Sequence, residues 1–250
     1  MNTRTLGRTG FAVTEIGLGA WPIGSVSYGD VPRTEASACI EAYLERGGNF
    51  IDTARVYGAS EMVLGETLAR LGARERVVLA SKSIGHGEDE IRADLEESLE
   101  QLQTDRIDLY YLHSPPEDSD EMNRTLDVFE RFRDEGKIRA IGASIKGPDV
   151  TEATQALCRQ YIATGRVDAL QVIFSIFRQM NAAVIREAAE AGVGIVGRTV
   201  LESGFLTGKY KPGDEFEGRD HRTRWGGKRL EGILACVDQP PPPALQPPYE

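Results

Sequence analysis

The chain has 250 residues with 40% hydrophobic content, enough for one large domain around a sizeable core. Twenty-nine Lys and Arg against 39 Asp and Glu leave a net charge of −10, which repels phosphate backbones and anionic headgroups, so neither nucleic acid nor a membrane is expected as a partner. No apolar run reaches membrane-spanning length and the N-terminus lacks a signal-like apolar core, which points to a cytoplasmic protein.

The first fourteen residues carry turn signals at Gly7 and Thr9-Gly10 and read as a β-hairpin, placed to plug a barrel floor. Strand candidates then begin near Glu15 (EIGLGA), Phe50 (FID), Val77 (VVLAS), Ile107 (IDLYYLH), Ala140 (AIGAS), Ala169 (ALQVIF) and Gly194 (GIVGR). These short Val, Ile and Leu runs are the pattern of parallel strands buried on both faces, and their starts lie roughly thirty residues apart, one βα unit each. Between them Ala36, Ile40, Tyr43 and Leu44 fall on one helical face, as do Ile91, Leu95, Leu99 and Leu102. The charges from Glu88 to Glu100 read as the solvated face of that second helix, and Gly47-Gly48 and Gly136 as helix stops. Cys39, Cys158 and Cys236 are far apart and lack the paired spacing of a metal site or disulfide framework, so no metal is expected.

Repeated βα units without a composition break predict an α/β fold, either a (β/α)8 TIM-type barrel or a doubly wound sheet. The rhythm stops after the seventh strand. One more helix candidate runs from Trp225 to Cys236, and the chain then reads DQPPPPALQPPYE, where six prolines in the last eleven residues deny a strand its donors. The expected organisation is one domain over 1–236 and a proline-rich tail over 237–250, with the eighth βα unit missing. Seven strands leave two unpaired edges, which favour a homo-oligomer.

Asp52 closes the second strand, with Tyr57 in the loop that follows, and Lys82 and His113 close the third and fourth. Parallel barrel strands all end on one rim, so these four side chains are expected to converge. Reducing a carbonyl needs a hydride at carbon and a proton at oxygen. A phenol gives that proton only if a neighbouring cation favours its phenolate. Lys82 is placed to do so for Tyr57, Asp52 to hold Lys82 charged, and His113 to polarise the carbonyl.

GNFIDTARVYGASE (Gly48 to Glu61), LASK (Leu79 to Lys82), DLYYLH (Asp108 to His113), GKIRAIGAS (Gly136 to Ser144) and GFLTGKY (Gly204 to Tyr210) occur in this order at βα spacing. Through them residues 1 to about 210 resemble the aldo-keto reductase family. The resemblance selects the barrel over the open sheet and implies an NADP(H)-dependent oxidoreductase that interconverts an aldehyde or ketone with an alcohol, with NAD(H) as the alternative cofactor. It maps the family's proton-relay tetrad onto Asp52, Tyr57, Lys82 and His113. It also implies that Ser144 and Gln171 meet the nicotinamide carboxamide and that Phe174 stacks on its ring. The loop from Gly197 to Tyr210 is expected to wrap the pyrophosphate, with Arg198, Thr199, Leu201, Gly204, Leu206 and Lys209 as its contacts. Trp21, Tyr57 and His113 would line the site of a small carbonyl or alcohol substrate.

Three departures from the family pattern stand out, the mildest being Phe174 in place of the usual tyrosine, which keeps the ring. Ile145 replaces an asparagine whose amide would grip the carboxamide, a loss of about 1 kcal/mol. The eighth unit, which in the family holds the adenosine 2′-phosphate and adenine, has no counterpart. A second reading therefore stays open, in which the chain is a catalytically silent or truncated barrel serving as a binding or regulatory protein.

Overall fold

The computed structural model describes residues 1–147, 149–225 and 228–237. Strands β1 (Thr3–Thr5) and β2 (Ala12–Thr14) form the antiparallel hairpin. Seven parallel strands follow: β3 (Leu18–Gly19), β4 (Phe50–Asp52), β5 (Val78–Ser83), β6 (Ile107–His113), β7 (Ile138–Ser144), β8 (Ala169–Ile173) and β9 (Gly194–Arg198). Their order in the sheet is their order in the chain. Helices α1 (Arg33–Glu45), α2 (Ser60–Arg70), α3 (Glu88–Gln101), α4 (Ser119–Asp134), α5 (Glu152–Thr164) and α6 (Ala182–Glu190) connect them, and α7 (Lys228–Val237) comes last.

Side chains alternate across this sheet, which curls about two cores. The outer core joins sheet to helices: Ile51, Leu79, Tyr110, Leu112, Ile141 and Leu170 pack with Ile40, Leu64, Leu95, Leu126 and Phe129. The inner core holds Phe50, Ala80, Leu109, Tyr111, Ala140 and Ala169, closed from below by Leu6, Phe11 and Val13 of the hairpin. The hairpin does plug the floor. Inner residues are small where Tyr111 needs room, and a Cβ on Gly142 would fall 2.3 Å from its ring.

This alternation positions the site. Phe50, Ala80, Tyr111 and Ala169 face inward, so Asp52, Lys82, His113 and Gln171, each two residues further on, share that face at the C-terminal rim. Ser144 pairs with His113 on one side and Gln171 on the other, which sets all of them at one level.

Three boundaries differ from expectation. The first parallel strand is only Leu18–Gly19, and just before it Tyr43 Oη lies 2.9 Å from the carbonyl oxygens of both Ile16 and Phe50, to one of which its single hydroxyl hydrogen is donated. Lys82 is the penultimate rather than the last residue of β5. The last helix is Lys228–Val237 rather than Trp225 to Cys236. The proline-rich tail, 238–250, lies outside the described residues.

Among the described residues no strand pairs β9 with β3. The rim of this gap is nonetheless crossed by the segment after β9, where His221 donates its backbone N–H to Ser27 O at 2.8 Å. Below, Arg8 N–H meets Gly192 O at 2.7 Å, fastening the hairpin to the start of β9. Leu230 and Leu234 of α7 pack on Phe205 of the loop after β9 as a third, satellite core.

Candidate active site

Lys82 is the centre of the rim. Its side chain is fully buried, and Nζ donates to Asp52 Oδ2 at 2.7 Å and to Thr53 O at 2.6 Å. Tyr57 Oη lies 3.5 Å from the same nitrogen, whose charge also sits 4.8 Å from the phenol ring centroid. Burial opposes the charge on Lys82, yet the neighbouring Asp52 and then Tyr57 leave it above the ordinary lysine value. The ammonium therefore persists at neutral pH beside the phenol.

The loop that carries Tyr57 is pinned from several directions. Ser60, fully buried at the start of α2, bonds Thr53 Oγ1 at 2.8 Å and donates to Ala20 O at 3.0 Å. Glu61, also buried, accepts from Ser81 Oγ at 2.5 Å, and burial raises its pKa against that hydrogen bond. These two residues act behind the site, in its scaffold.

His113 faces Tyr57 edge-on, ring centroids 6.0 Å apart. Burial, then the charges of Lys82 and Arg198, lower its pKa to about 3, so the imidazole is neutral at physiological pH. A neutral imidazole can polarise a carbonyl by hydrogen bonding but has no charge-bearing proton to give up.

On the other side of the rim Gln171 reaches Asp52. Its Nε2 donates to Asp52 Oδ1 at 3.0 Å, while Ser144 Oγ donates to its Oε1 at 2.8 Å. A continuous chain thus runs from Ser144 through Gln171, Asp52 and Lys82 to Tyr57. Ile145 turns its side chain into the outer core and presents no polar group to the rim. Arg198 Nη2 instead donates to Ile145 O at 2.9 Å and Gly147 O at 2.8 Å. Burial lowers the pKa of this guanidinium, and Tyr57 and Asp52 partly offset the effect.

The remaining expected residues are spread more widely. Phe174 is half-buried just past β8, with its N–H on Arg198 O at 3.3 Å. Thr199, Glu202, Ser203 and Gly204 have φ of 60°, 48°, 58° and 95°, so the loop after β9 is tightly coiled, with Leu201 exposed and Leu206 N–H returning to Leu201 O. Lys209 lies over the Tyr210 ring at 5.7 Å. Trp21 stands 6.1 Å from Tyr57, ring to ring, and packs on Tyr28 and His221 at 5.3 and 4.8 Å. Spacing gave no sign of Tyr28 or His221, which lie far apart in the chain, in a bend and at the start of a short 3-10 turn. Among the described residues no group of three or more His, Cys, Asp or Glu is arranged to hold a metal, and no helix is long and apolar enough to cross a membrane.

Comparison with known proteins matches residues 15–236 to the model of the aldo/keto reductase family. Aldo-keto reductase YhdN of Bacillus subtilis is 30% identical over 255 residues, covering 96% of this chain and 75% of its own. The NADH-specific methylglyoxal reductase of Escherichia coli is 32% identical over 242 residues, covering 83% and 71%. A solved aldo/keto reductase from Klebsiella pneumoniae, in complex with NADP and acetate, superimposes with a TM-score of 0.69 at 26% identity, over 85% of this chain and 71% of that one. Sequence, fold and rim geometry agree on a single assignment: the chain belongs to the aldo/keto reductase family and is an oxidoreductase.

Proposed function

We propose that the chain reduces a small aldehyde or ketone to the alcohol, or runs the reverse reaction, with NADP(H) as hydride carrier and Tyr57 as proton donor. The observation that carries this reading is the contact of Tyr57 Oη with the buried Lys82 ammonium, itself held by Asp52. The chemistry of the rim fits a nicotinamide cofactor: a buried amide (Gln171) and a hydroxyl (Ser144) stand at one end, and a guanidinium (Arg198) and a tightly coiled loop at the other. The bound cofactor supplies the hydride.

The protein's own residues do the rest. Lys82 favours the phenolate that Tyr57 becomes after giving its proton, and Asp52 keeps Lys82 charged and oriented. Neutral His113 donates a hydrogen bond to the substrate oxygen and holds it beside Tyr57 Oη. Gln171 and Ser144 orient the carboxamide, Arg198 and the loop from Thr199 to Lys209 hold the rest of the cofactor, and Trp21 bounds the carbonyl site. Both NADP and NADH occur in the names of related proteins, and NADP(H) is the proposal here.

Titration of the pure chain with NADPH and NADH by fluorescence or calorimetry is the first test, with saturable NADPH binding expected. Tyr57→Phe should then lower carbonyl reduction by about a hundredfold or more, while NADPH affinity stays within about threefold of the parent. Turnover near the parent's would remove Tyr57 from the mechanism. Absent binding of both nucleotides would favour the catalytically silent barrel, for which Ile145, with no polar group at the rim, is the supporting observation.

A further inference from the structure

Gln171 lies on β8 and Asp52 on β4, with three strands between them in the sheet. Their side chains meet because the sheet curls, and they join positions 119 residues apart. Gln171 is only 3% exposed, as is Ser144, so the amide must find partners inside the protein. Asp52 fixes which way round it sits. A carboxylate only accepts, so the amide nitrogen faces Asp52, and the amide oxygen is left for the Ser144 hydroxyl. The Asp52 carboxylate is thereby held at both oxygens, Oδ1 by Gln171 and Oδ2 by Lys82.

We infer that Gln171 is a positioning residue for the proton relay: locked by Ser144, it ties Asp52 from across the barrel and fixes the carboxylate that orients Lys82 against Tyr57. One amide N–H is spent on Asp52, and the second remains for the rim. If the cofactor reading above holds, a single side chain then couples carboxamide docking to the relay. The tie to Asp52 does not depend on that reading.

The test uses Gln171→Glu and Gln171→Leu, each alone and with Asp52→Asn, and follows thermal stability of the nucleotide-free protein against pH. In Gln171→Glu a second carboxyl faces Asp52, and two carboxyls at that distance share a proton. Lys82 from β5, Tyr57 from the loop after β4, Tyr111 and neutral His113 from β6, and Arg198 from β9 face the pair in every variant, so their influence is common to the comparison. The pair's pKa is raised in the folded state. Stability relative to the parent should therefore be greatest at acid pH and be lost as pH rises through that value. The expected result is a Tm deficit that grows by about 3 °C or more between about pH 5 and pH 8. With Asp52→Asn the growth should at least halve, because the new amide at position 52 donates to the carboxylate introduced at position 171. Gln171→Leu should show a deficit that does not change with pH.

A pH-dependent deficit of equal size with Asp or Asn at position 52 would overturn the inference. Should Gln171→Glu fail to fold, the cycle of Gln171→Leu with Asp52→Asn decides. A double variant little worse than the worse single variant supports the tie, and additive Tm losses overturn it. In a parent that binds NADPH, Gln171→Leu should also slow single-turnover hydride transfer at saturating NADPH by about tenfold or more, and no slowing would count against the positioning role. Failure of the parent to bind nucleotide defeats the functional reading alone, because the stability arms need no cofactor.

Discussion

Burial and the charges of Lys82 and Arg198 keep the His113 imidazole neutral, and that has a consequence for stability. In the unfolded chain the ring takes up a proton near 6.5, whereas the folded protein resists until about 3. Between these values the unfolded state binds more protons, so stability falls as the solution is acidified through the window and is fully regained above it. Gln at position 113 keeps polar atoms there but cannot take up that proton. His113→Gln should therefore lose less Tm than the parent between about pH 7 and pH 4 in scanning calorimetry. Parallel Tm curves would mean that His113 titrates in the fold much as it does in solution. In the proposed mechanism a fully buried Lys82 and a neutral His113 separate two roles, the charged group tuning the phenol and the uncharged one donating to the carbonyl.

The loops after β3 and β4 cross at two glycines. A Cβ on Gly24 would lie 1.6 Å from Tyr57 O and 2.6 Å from Tyr57 C, and Gly58, at φ 59°, faces Gly24 O from the other side. Both contacts are to backbone, so no side chain can yield, and Gly24→Ala must move the segment that carries Tyr57. A shift of about 1 Å at a reacting group costs on the order of a hundredfold in rate. We expect Gly24→Ala to lower turnover by about ten- to a hundredfold while NADPH affinity, which the proposed function places on β8 and β9, changes by less than about threefold. Loss of both together would indicate a wider collapse.

At this scale the sequence was legible where polar residues interrupt regular apolar alternation: Asp52, Lys82, His113, Ser144 and Gln171 each follow an inward position by two. It was not legible where function depends on irregular chain. Neither the crossing of Gly24 with Gly58 nor the packing of His221 on Trp21 has a periodicity to betray it. The helix from Glu88 to Gln101 also proved more than a solvated face, since Asp94 accepts from Ser83 Oγ and from the N–H groups of Ile84 and Gly85 and so fixes the end of β5. Its neighbours Glu96 and Glu100 carry the same charge outward, and nothing in composition distinguishes them.

For the whole molecule the decisive feature is the gap between β3 and β9. The expectation of unpaired edges holds among the described residues, and the cover comes from the segment after β9. On the rim, His221 meets Ser27 O through both its N–H and Nδ1 at 2.8 Å, and its ring lies 4.3 Å from that of Tyr28. Arg222 grips Asp220 through Nε and Nη2, and stands 5.0, 4.9 and 4.6 Å from the rings of Tyr28, Tyr210 and Phe216. On the floor the hairpin reaches both sides, to β9 through Arg8 and to the β4 side through Asn49, whose Oδ1 accepts from Thr14 N–H at 2.7 Å. The gap is thus fastened at its two ends, and the fastenings differ in kind. The floor relies on backbone hydrogen bonds and apolar packing, whereas the rim adds to the His221–Ser27 contacts a guanidinium set among aromatic rings. Removing that cation should loosen the rim selectively. Cation–π and charge-assisted contacts contribute about 1 to 3 kcal/mol each, and in a chain of this size about 2 kcal/mol corresponds to roughly 4–8 °C. Arg222→Ala should lower Tm by that amount. By freeing the β3 and β9 edges it should also raise the proportion of dimers and larger species in light scattering, relative to the parent at equal concentration. A lower Tm with an unchanged mass distribution would show that the clasp stabilises the rim without guarding the edges, and self-association through the gap would then have to be given up.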